Sequence, residues 1–500
     1  MSGVNALALR LLLAFALGAF CVIGFAPNGV SPAPTGALLG LFILWRQASS
    51  ARMAALFGLA WGLGCFGVGV SWVYVSLSQF SGLAPALSVA ATFLFCFYLA
   101  LYPAFAGALF ARWRSLNATS NWHDILLFAG LWTLSEWLRG NLLTGFPWLS
   151  VGYSQSPPSP LAGYAAVLGV YGLGFVVALL GGLLAVGWRS LRHLTFVLII
   201  LVLGFSLTKV DWTTPHGKPL AVNLLQGNVP QDVKWSPQQI AFSVERYVAL
   251  ASQTTPARNA VLTVLPETAL PLFLNEVPRE ILQTLTQHGD VLFGVPVINK
   301  NRSYVNAAVA ISPALSMQAY AKRHLVPFGE YAPPGFDWFF KFLRIPMSGF
   351  TPGQDSPPPM LIADQRIAPN ICYEDLFGEE LLYALPQATL LLNMSNTAWF
   401  GDSLAQPQHL QISQMRALET GRVMLRATNT GMTAMVLPNG IVAAQLPPFT
   451  SGVLRVEAQG YTGLTPYARW GNALILLLAA LAIAPSIVVY RRRRARQPSQ

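Results

Sequence analysis

The chain has 500 residues, of which 54% are hydrophobic and 10% charged, with a net charge of +11. That is too apolar for an ordinary soluble protein. The positive charge is not a nucleic-acid signature either, because much of it lies in short arginine clusters beside apolar runs, including Arg491 to Arg494 and Arg496.

Apolar runs of membrane-crossing character fall at 8–26, 33–46, 53–76, 84–111, 124–143, 161–188, 193–208 and 471–490, the second and seventh being short. The first run lacks an A-x-A site and is followed by further spans, so it reads as a span and not as a signal peptide. Phe20 before Cys21 is too bulky for a lipoprotein signal box. Arg46 with Arg52, Arg112 with Arg114, and Arg189 with Arg192 occupy alternate connections, whereas 27–33 and 77–84 carry no charge. With Arg10 near the start and the arginine cluster at the end, both termini are expected in the cytoplasm and the segment after the seventh crossing outside it. Glu136 and Arg139, near the outer end of a span, read as a helix-end ion pair or as intramembrane charge with a function.

Acidic residues sharpen the division. Of 20, only Asp124 and Glu136 precede Asp211. The expected organisation is a membrane domain over 1–210 with about seven spans, an extramembrane domain over 211–465, a C-terminal span over 466–490 and a basic tail over 491–500. In the extramembrane domain β-branched stretches at 220–226, 260–265, 291–297, 304–311, 318–323, 367–372, 389–394 and 433–437 alternate with helical patterns at 240–253, 278–287, 376–385 and 408–420. This predicts an α/β layered domain. The extramembrane domain contains no G-x-G-x-x-G or P-loop, and His288, His324 and His409 lack ligand spacing, so no metal site is expected.

Cys372 is the only cysteine outside an apolar run. A lone cysteine is often a small buried hydrophobe, but this one ends an apolar stretch just before a polar turn. Glu267 in Leu265-Pro266-Glu267-Thr268 and Lys322 in Tyr320-Ala321-Lys322-Arg323 also end apolar strands. A carboxylate base, an oxyanion partner and a thiol suffice for covalent acyl chemistry. Lys322 is expected to lower the thiol pKa. Lys322 and the backbone N–H of Tyr373 would meet the charge that develops on a carbonyl oxygen.

The ordered set Leu265 to Thr268, Lys322 to Glu330 and Ile371 to Glu374 resembles the nitrilase (carbon–nitrogen hydrolase) superfamily. Its membrane branch, the apolipoprotein N-acyltransferases, is matched further by Gln226 to Gln231 with Lys234-Trp235, Ala398 to Asp402, Met415 to Glu419, Arg426 to Asn429, Thr462 to Arg469, Glu136 to Gly140 and Thr144 to Trp148. Asn396-Thr397-Ala398 departs from an expected Asn-Asp-Ala. The resemblance implies a polytopic α-helical membrane protein with an αββα sandwich and a Glu267-Lys322-Cys372 triad. It implies a multi-pass protein of the bacterial inner membrane with a periplasmic catalytic domain. It also implies transfer of an acyl chain from a membrane phospholipid, through a thioester, to the amine of a diacylglyceryl-modified apolipoprotein, without cofactor. Glu330 and Glu374 either orient Lys322 or the thiol, or satisfy buried backbone groups. Trp235 and Tyr373 are either core or acyl-pocket wall. The aromatic segment 336–343 suits either core or a membrane-dipping lid. The competing readings are a membrane-tethered amidase, which the same triad would serve, and a transporter or receptor with an inactive domain.

Overall fold

The computed structural model describes residues 3–80, 82–114, 121–230, 237–253, 261–299, 301–336, 349–354 and 357–495. They divide into two units, one comprising 1–74, 86–210 and 469–500, the other 75–85 and 211–468.

The first unit is helical: α1 (Gly3–Cys21), α2 (Ala33–Gln47), α3 (Ala51–Gly69), α4 (Val73–Phe80, whose larger part clusters with the second unit), α5 (Pro85–Trp113), α6 (Asn121–Asn141), α7 (Ala165–Gly187) and α8 (Leu191–Leu207). The C-terminal helix Ala473–Ala495 completes it. Every apolar run of the sequence is therefore helical. Among the described residues, five helices are long and apolar enough to cross a membrane: α1, α3, α5, α7 and the C-terminal helix. The others fall short for stated reasons. α2 has 15 residues, α8 has 17, and α6 carries Asp124, Glu136 and Arg139. The run at 53–76 is not one helix, since α3 stops at Gly69 and α4 begins at Val73.

Small residues let helices approach closely here, as is usual where lipid supplies no hydrophobic drive between them. A Cβ on Gly18 would lie 1.9 Å from the Trp61 carbonyl, and one on Gly64 would lie 2.0 Å from that of Phe15. α1 and α3 can pack at this distance only through those glycines. Of the two readings of Glu136 and Arg139, the helix-end ion pair is not formed within 4.0 Å. Glu136 Oε1 accepts from Val151 N at 2.7 Å, while Arg139 donates to the Phe146 and Trp148 carbonyls and to Ser150 Oγ. Both side chains tie down the loop that follows α6.

The second unit contains β1 (Thr214–Gln226), α9 (Pro237–Ser252), β2 (Val261–Val264), α10 (Arg279–Leu285), β3 (Asp290–Ile298), β4 (Tyr304–Ile311), β5 (Met317–Ala321), β6 (Met360–Ile362), β7 (Gln365–Ile371), α11 (Gly378–Leu381), β8 (Leu390–Ser395), α12 (Ala405–Thr420), β9 (Val423–Thr428), β10 (Ala434–Val436), β11 (Val442–Gln445), β12 (Gly452–Thr462) and α13 (Pro466–Trp470); the C-terminal helix becomes α14. Two six-stranded sheets form, ordered β12-β1-β2-β3-β4-β5 and β11-β10-β9-β8-β7-β6. β1-β2-β3 and β7-β8-β9 pair in parallel, and the outer pairs are antiparallel.

One buried cluster draws on both sheets: Val222, Leu224, Leu262, Val264 and Leu292 from the first, with Ile367, Ile371, Leu390, Leu392 and Leu425 from the second. The alternate residues Leu225, Leu265, Val291 and Phe293 pack with Tyr247, Leu250 and Leu282 of α9 and α10. Leu391 and Met424 pack with Leu410 and Ala417 of α12. Both faces of each sheet are thus covered, which is why the central strands read as unbroken apolar runs. The layers are αββα. Strands β6, β9, β11 and β12 were not anticipated.

Candidate active site

The three predicted site residues each follow a strand. Glu267 follows β2, Lys322 follows β5, and Cys372 follows β7. β2 and β7 are parallel strands, whose carboxyl ends leave backbone and side chains free to meet a ligand, whereas β5 runs antiparallel to β4.

The Glu267 loop lies flat on β3. Leu265 N donates to Leu292 O at 2.9 Å, and Gly294 N donates to Pro266 O at 3.2 Å. A Cβ at Gly294 would sit 2.6 Å from the Glu267 Cα, so only glycine permits the approach. Glu267 is buried. Its Oε1 accepts from Asn306 Nδ2 at 2.8 Å and pairs with Lys322 Nζ at 3.4 Å, and its Oε2 accepts from Asn396 N at 2.9 Å. Lys322, 1% exposed, is gripped more closely by Glu330, whose Oε2 lies 2.9 Å away and whose Oε1 lies 3.0 Å away. Asn306 Nδ2 also donates to Glu330 Oε1 at 2.9 Å, and Val326 N donates to Glu330 Oε2 at 2.7 Å. Glu330 therefore both contacts Lys322 directly and satisfies a backbone N–H.

Cys372 opens a one-turn segment with φ +54°, a left-handed backbone for a residue bearing a Cβ. Such a conformation costs about 1–2 kcal/mol and persists only where neighbours impose it. Glu374 is one such neighbour. Its carboxylate accepts from Ile371 N at 2.6 Å, Arg323 N at 2.7 Å, His324 N at 3.2 Å and the Tyr320 hydroxyl at 2.9 Å. It staples the turn that bears the thiol to the segment that bears Lys322. Tyr373 packs in an aromatic group with His324 and Phe377 at centroid distances of 5.6 and 5.1 Å. Trp235 lies outside the described residues, as does the 336–343 segment beyond Phe336.

The electrostatics depart from expectation. Burial, and then the Glu267 carboxylate, push the Cys372 thiol well up; Lys322 opposes them but does not prevail. Burial disfavours the Lys322 ammonium, yet Glu330, Glu267 and Cys372 together hold it protonated, above the usual lysine range. Two carboxylates face one ammonium, so the proton stays on sulfur at rest. Burial raises Glu374 despite its backbone donors.

Asn306 and Asn396 were missed by sequence reasoning. Asn306, buried near the start of an apolar strand, was detectable as a lone amide between Val305 and the aliphatic run Ala307–Ile311. Asn396 acts through its backbone N–H, for which no residue type is diagnostic.

An αββα sandwich with an acid, a lysine and a cysteine at strand ends defines a carbon–nitrogen hydrolase domain, and residues 221–467 match the family described as carbon-nitrogen hydrolase. Residues 17–183 match the family described as apolipoprotein N-acyltransferase N-terminal domain. The chain is 46% identical to the apolipoprotein N-acyltransferase of Nitrosomonas europaea, with 97% of this chain and 98% of that one aligned. It is 45% identical to that of Ralstonia nicotianae (97% and 94% aligned) and 43% identical to that of Chromobacterium violaceum (97% and 95% aligned). The chain belongs to the apolipoprotein N-acyltransferase family.

Proposed function

We propose that this protein moves an acyl chain from a membrane phospholipid to the α-amine of a diacylglyceryl-modified N-terminal cysteine, with Cys372 as nucleophile, Glu267 as base and Lys322 as oxyanion partner. The observation that carries the reading is the buried Lys322 ammonium, shared by Glu267 and Glu330 and electrostatically coupled to the Cys372 thiol.

In the first half-reaction Glu267 takes the thiol proton as sulfur attacks the ester carbonyl. Lys322 meets the charge on the carbonyl oxygen, a contribution of about 3–4 kcal/mol for one such donor. As the tetrahedral intermediate collapses, the C–O bond breaks and Glu267 returns its proton to the lysophospholipid oxygen. In the second half-reaction the acceptor amine attacks the thioester, Glu267 takes the amine proton, and the C–S bond breaks. Sulfur leaves as thiolate and regains the proton from Glu267. The product is an amide, and the balance needs no other reactant.

The protein is placed in the inner membrane, with eight crossings, both termini cytoplasmic and the catalytic domain periplasmic. The alternating arginine pairs support this arrangement. Reporters fused at Gln459 and Gln497 should report opposite sides; the same side from both would remove the final crossing.

The deciding experiment incubates the purified protein with phospholipid alone and measures intact mass. An added acyl chain on Cys372, discharged by a lipopeptide amine to give N-acyl peptide, is the expected result. Free fatty acid as the sole product would mean a hydrolase, and no adduct with normal turnover would remove the covalent route.

A further inference from the structure

Behind the Cys372 turn lies a buried polar network that the acyl-transfer steps leave unused. Asn393 on β8 is fully buried. Its Nδ2 donates to Asn370 Oδ1 at 2.7 Å and to the backbone carbonyl of Cys372 at 3.1 Å. Its Oδ1 accepts from Arg426 Nη1 at 2.9 Å and from Ser395 Oγ at 2.6 Å. Arginine has no acceptor, so the Arg426 contact decides which end of the Asn393 amide is oxygen. The amino group is thereby directed at the Cys372 carbonyl. Arg426 is itself fixed by Asp375 Oδ2 at 3.2 Å and Ser413 Oγ at 2.9 Å, and Asp375 is fixed by His409 Nε2 at 2.8 Å. Arg426, Asp375 and His409 are each at most 1% exposed.

Cys372 holds φ +54°. Glu374 constrains this turn from the side of the Lys322 segment, through Ile371, Arg323 and His324. On the opposite flank, toward β8 and β9, the Cys372 carbonyl is bonded by Asn393. We propose that Asn393 is a positioning residue: its Arg426-oriented amide holds the carbonyl of Cys372. That contact keeps the nucleophile in the left-handed backbone from which the thiol meets Glu267 and Lys322. Asn393 touches neither substrate nor sulfur in this assignment. The inference rests on Cys372 being the nucleophile.

A purely structural role would lower the amount of folded protein but leave each folded molecule competent. The test therefore uses full-length protein in detergent and counts only the folded fraction from size exclusion. Acyl-thioester formation from dipalmitoyl phosphatidylethanolamine in mixed micelles is followed by intact mass in a single turnover. Asn393→Ala should lower the maximal loading rate at least tenfold, with half-saturating phospholipid within twofold of the wild type. Asn393→Asp keeps the volume but turns an oxygen toward the Cys372 carbonyl, and should lose at least as much. A second measurement uses thermal unfolding. Glycine adopts φ +54° without strain, so Asn393→Ala should lower the unfolding midpoint less in a Cys372→Gly background than in the wild type. Loading within threefold of wild type in both variants, or equal thermal losses in both backgrounds, would overturn the assignment. A wild-type enzyme that never loads would instead refute Cys372 as nucleophile, and the thermal comparison would still test Asn393.

Discussion

Asn306 offers the most direct probe of how the base is held. Its single amide nitrogen serves both carboxylates, Glu267 Oε1 at 2.8 Å and Glu330 Oε1 at 2.9 Å. Asn306→Leu keeps the volume and removes both donors. A hydrogen bond to a charged group contributes about 1.5–3 kcal/mol, so the gross loss is about 3–6 kcal/mol. Some of this is recovered, because Lys322 remains to pair with both acids. If half of the loss reaches the transition state, about 1.5–3 kcal/mol, loading slows about 13- to 160-fold. The assay is single-turnover formation of acyl-Cys372, measured over a range of phospholipid concentrations. The slowing should fall on the maximal rate, because Asn306 bonds Glu267, the proposed base. Glu330→Gln should be less than additive with Asn306→Leu, since the two groups act through one contact. A variant within threefold of the wild type, or one whose defect disappears at high phospholipid, would show that Glu267 needs no such support.

Three other outcomes follow from the same site. Alkylation of Cys372 by iodoacetamide, which needs thiolate, should be slow near neutrality and climb steadily with pH, because burial and Glu267 hold the thiol up. Glu267→Gln removes a negative charge beside the sulfur, so alkylation should quicken at a given pH while acyl transfer collapses; both rates falling together would contradict the charge assignment. Asp375 is penalised by burial, but His409, Arg426 and Ser413 outweigh that and hold it below the usual carboxylate range. Its stabilisation should therefore be complete above about pH 4 and fade as pH falls through the folded value, and Asp375→Asn, which takes away the carboxylate paired with buried Arg426, should cost about 3–5 kcal/mol in unfolding measurements, with a loss below about 1 kcal/mol counting against it. Finally, Ser76 donates to the Trp399 carbonyl at 2.6 Å and Phe80 stands edge-on to Trp399 at 5.3 Å; Phe80→Ala should lower stability in unfolding measurements by about 0.5–1.5 kcal/mol beyond the buried area lost, and an unchanged midpoint would show that this pair holds nothing.

Much of this arrangement can be read from the chain because Glu267, Lys322 and Cys372 each terminate an apolar stretch, and strand ends are visible as changes of composition. Tyr304–Ile311 was anticipated to the residue. β9 was not, since Arg422 and Arg426 look like surface residues and are in fact buried. Arg422 is satisfied by the Ala388 and Gly463 carbonyls, and Arg426 by Asp375 and Asn393, partners that only the tertiary fold supplies. β12 lies at the edge of its sheet and is largely half-buried, and its exposed Arg455 and Glu457 disguise the strand as a linker. The 53–76 run hid a break for the opposite reason. Its composition stays apolar across Val70, although the helix ends there with Val70 at φ −125°.

The thiol is the instructive disagreement. From the sequence, Lys322 is expected to lower the Cys372 thiol pKa, as cationic neighbours do in many reactive cysteines. The structure adds Glu330, which binds the same ammonium at shorter range than Glu267 does. With two carboxylates against one ammonium, a thiolate would add a further negative charge to a buried cluster that already has an excess. In the proposed reaction, negative charge then appears only when it can move onto the ester oxygen. Proton transfer to Glu267, attack on the carbonyl and stabilisation by Lys322 are coupled for this reason. A cysteine protonated at rest is also a poor target for oxidants and adventitious electrophiles. In the proposed reaction the second glutamate, which pairs with Lys322 in the resting site, leaves the lysine charge to act when the carbonyl oxygen becomes negative.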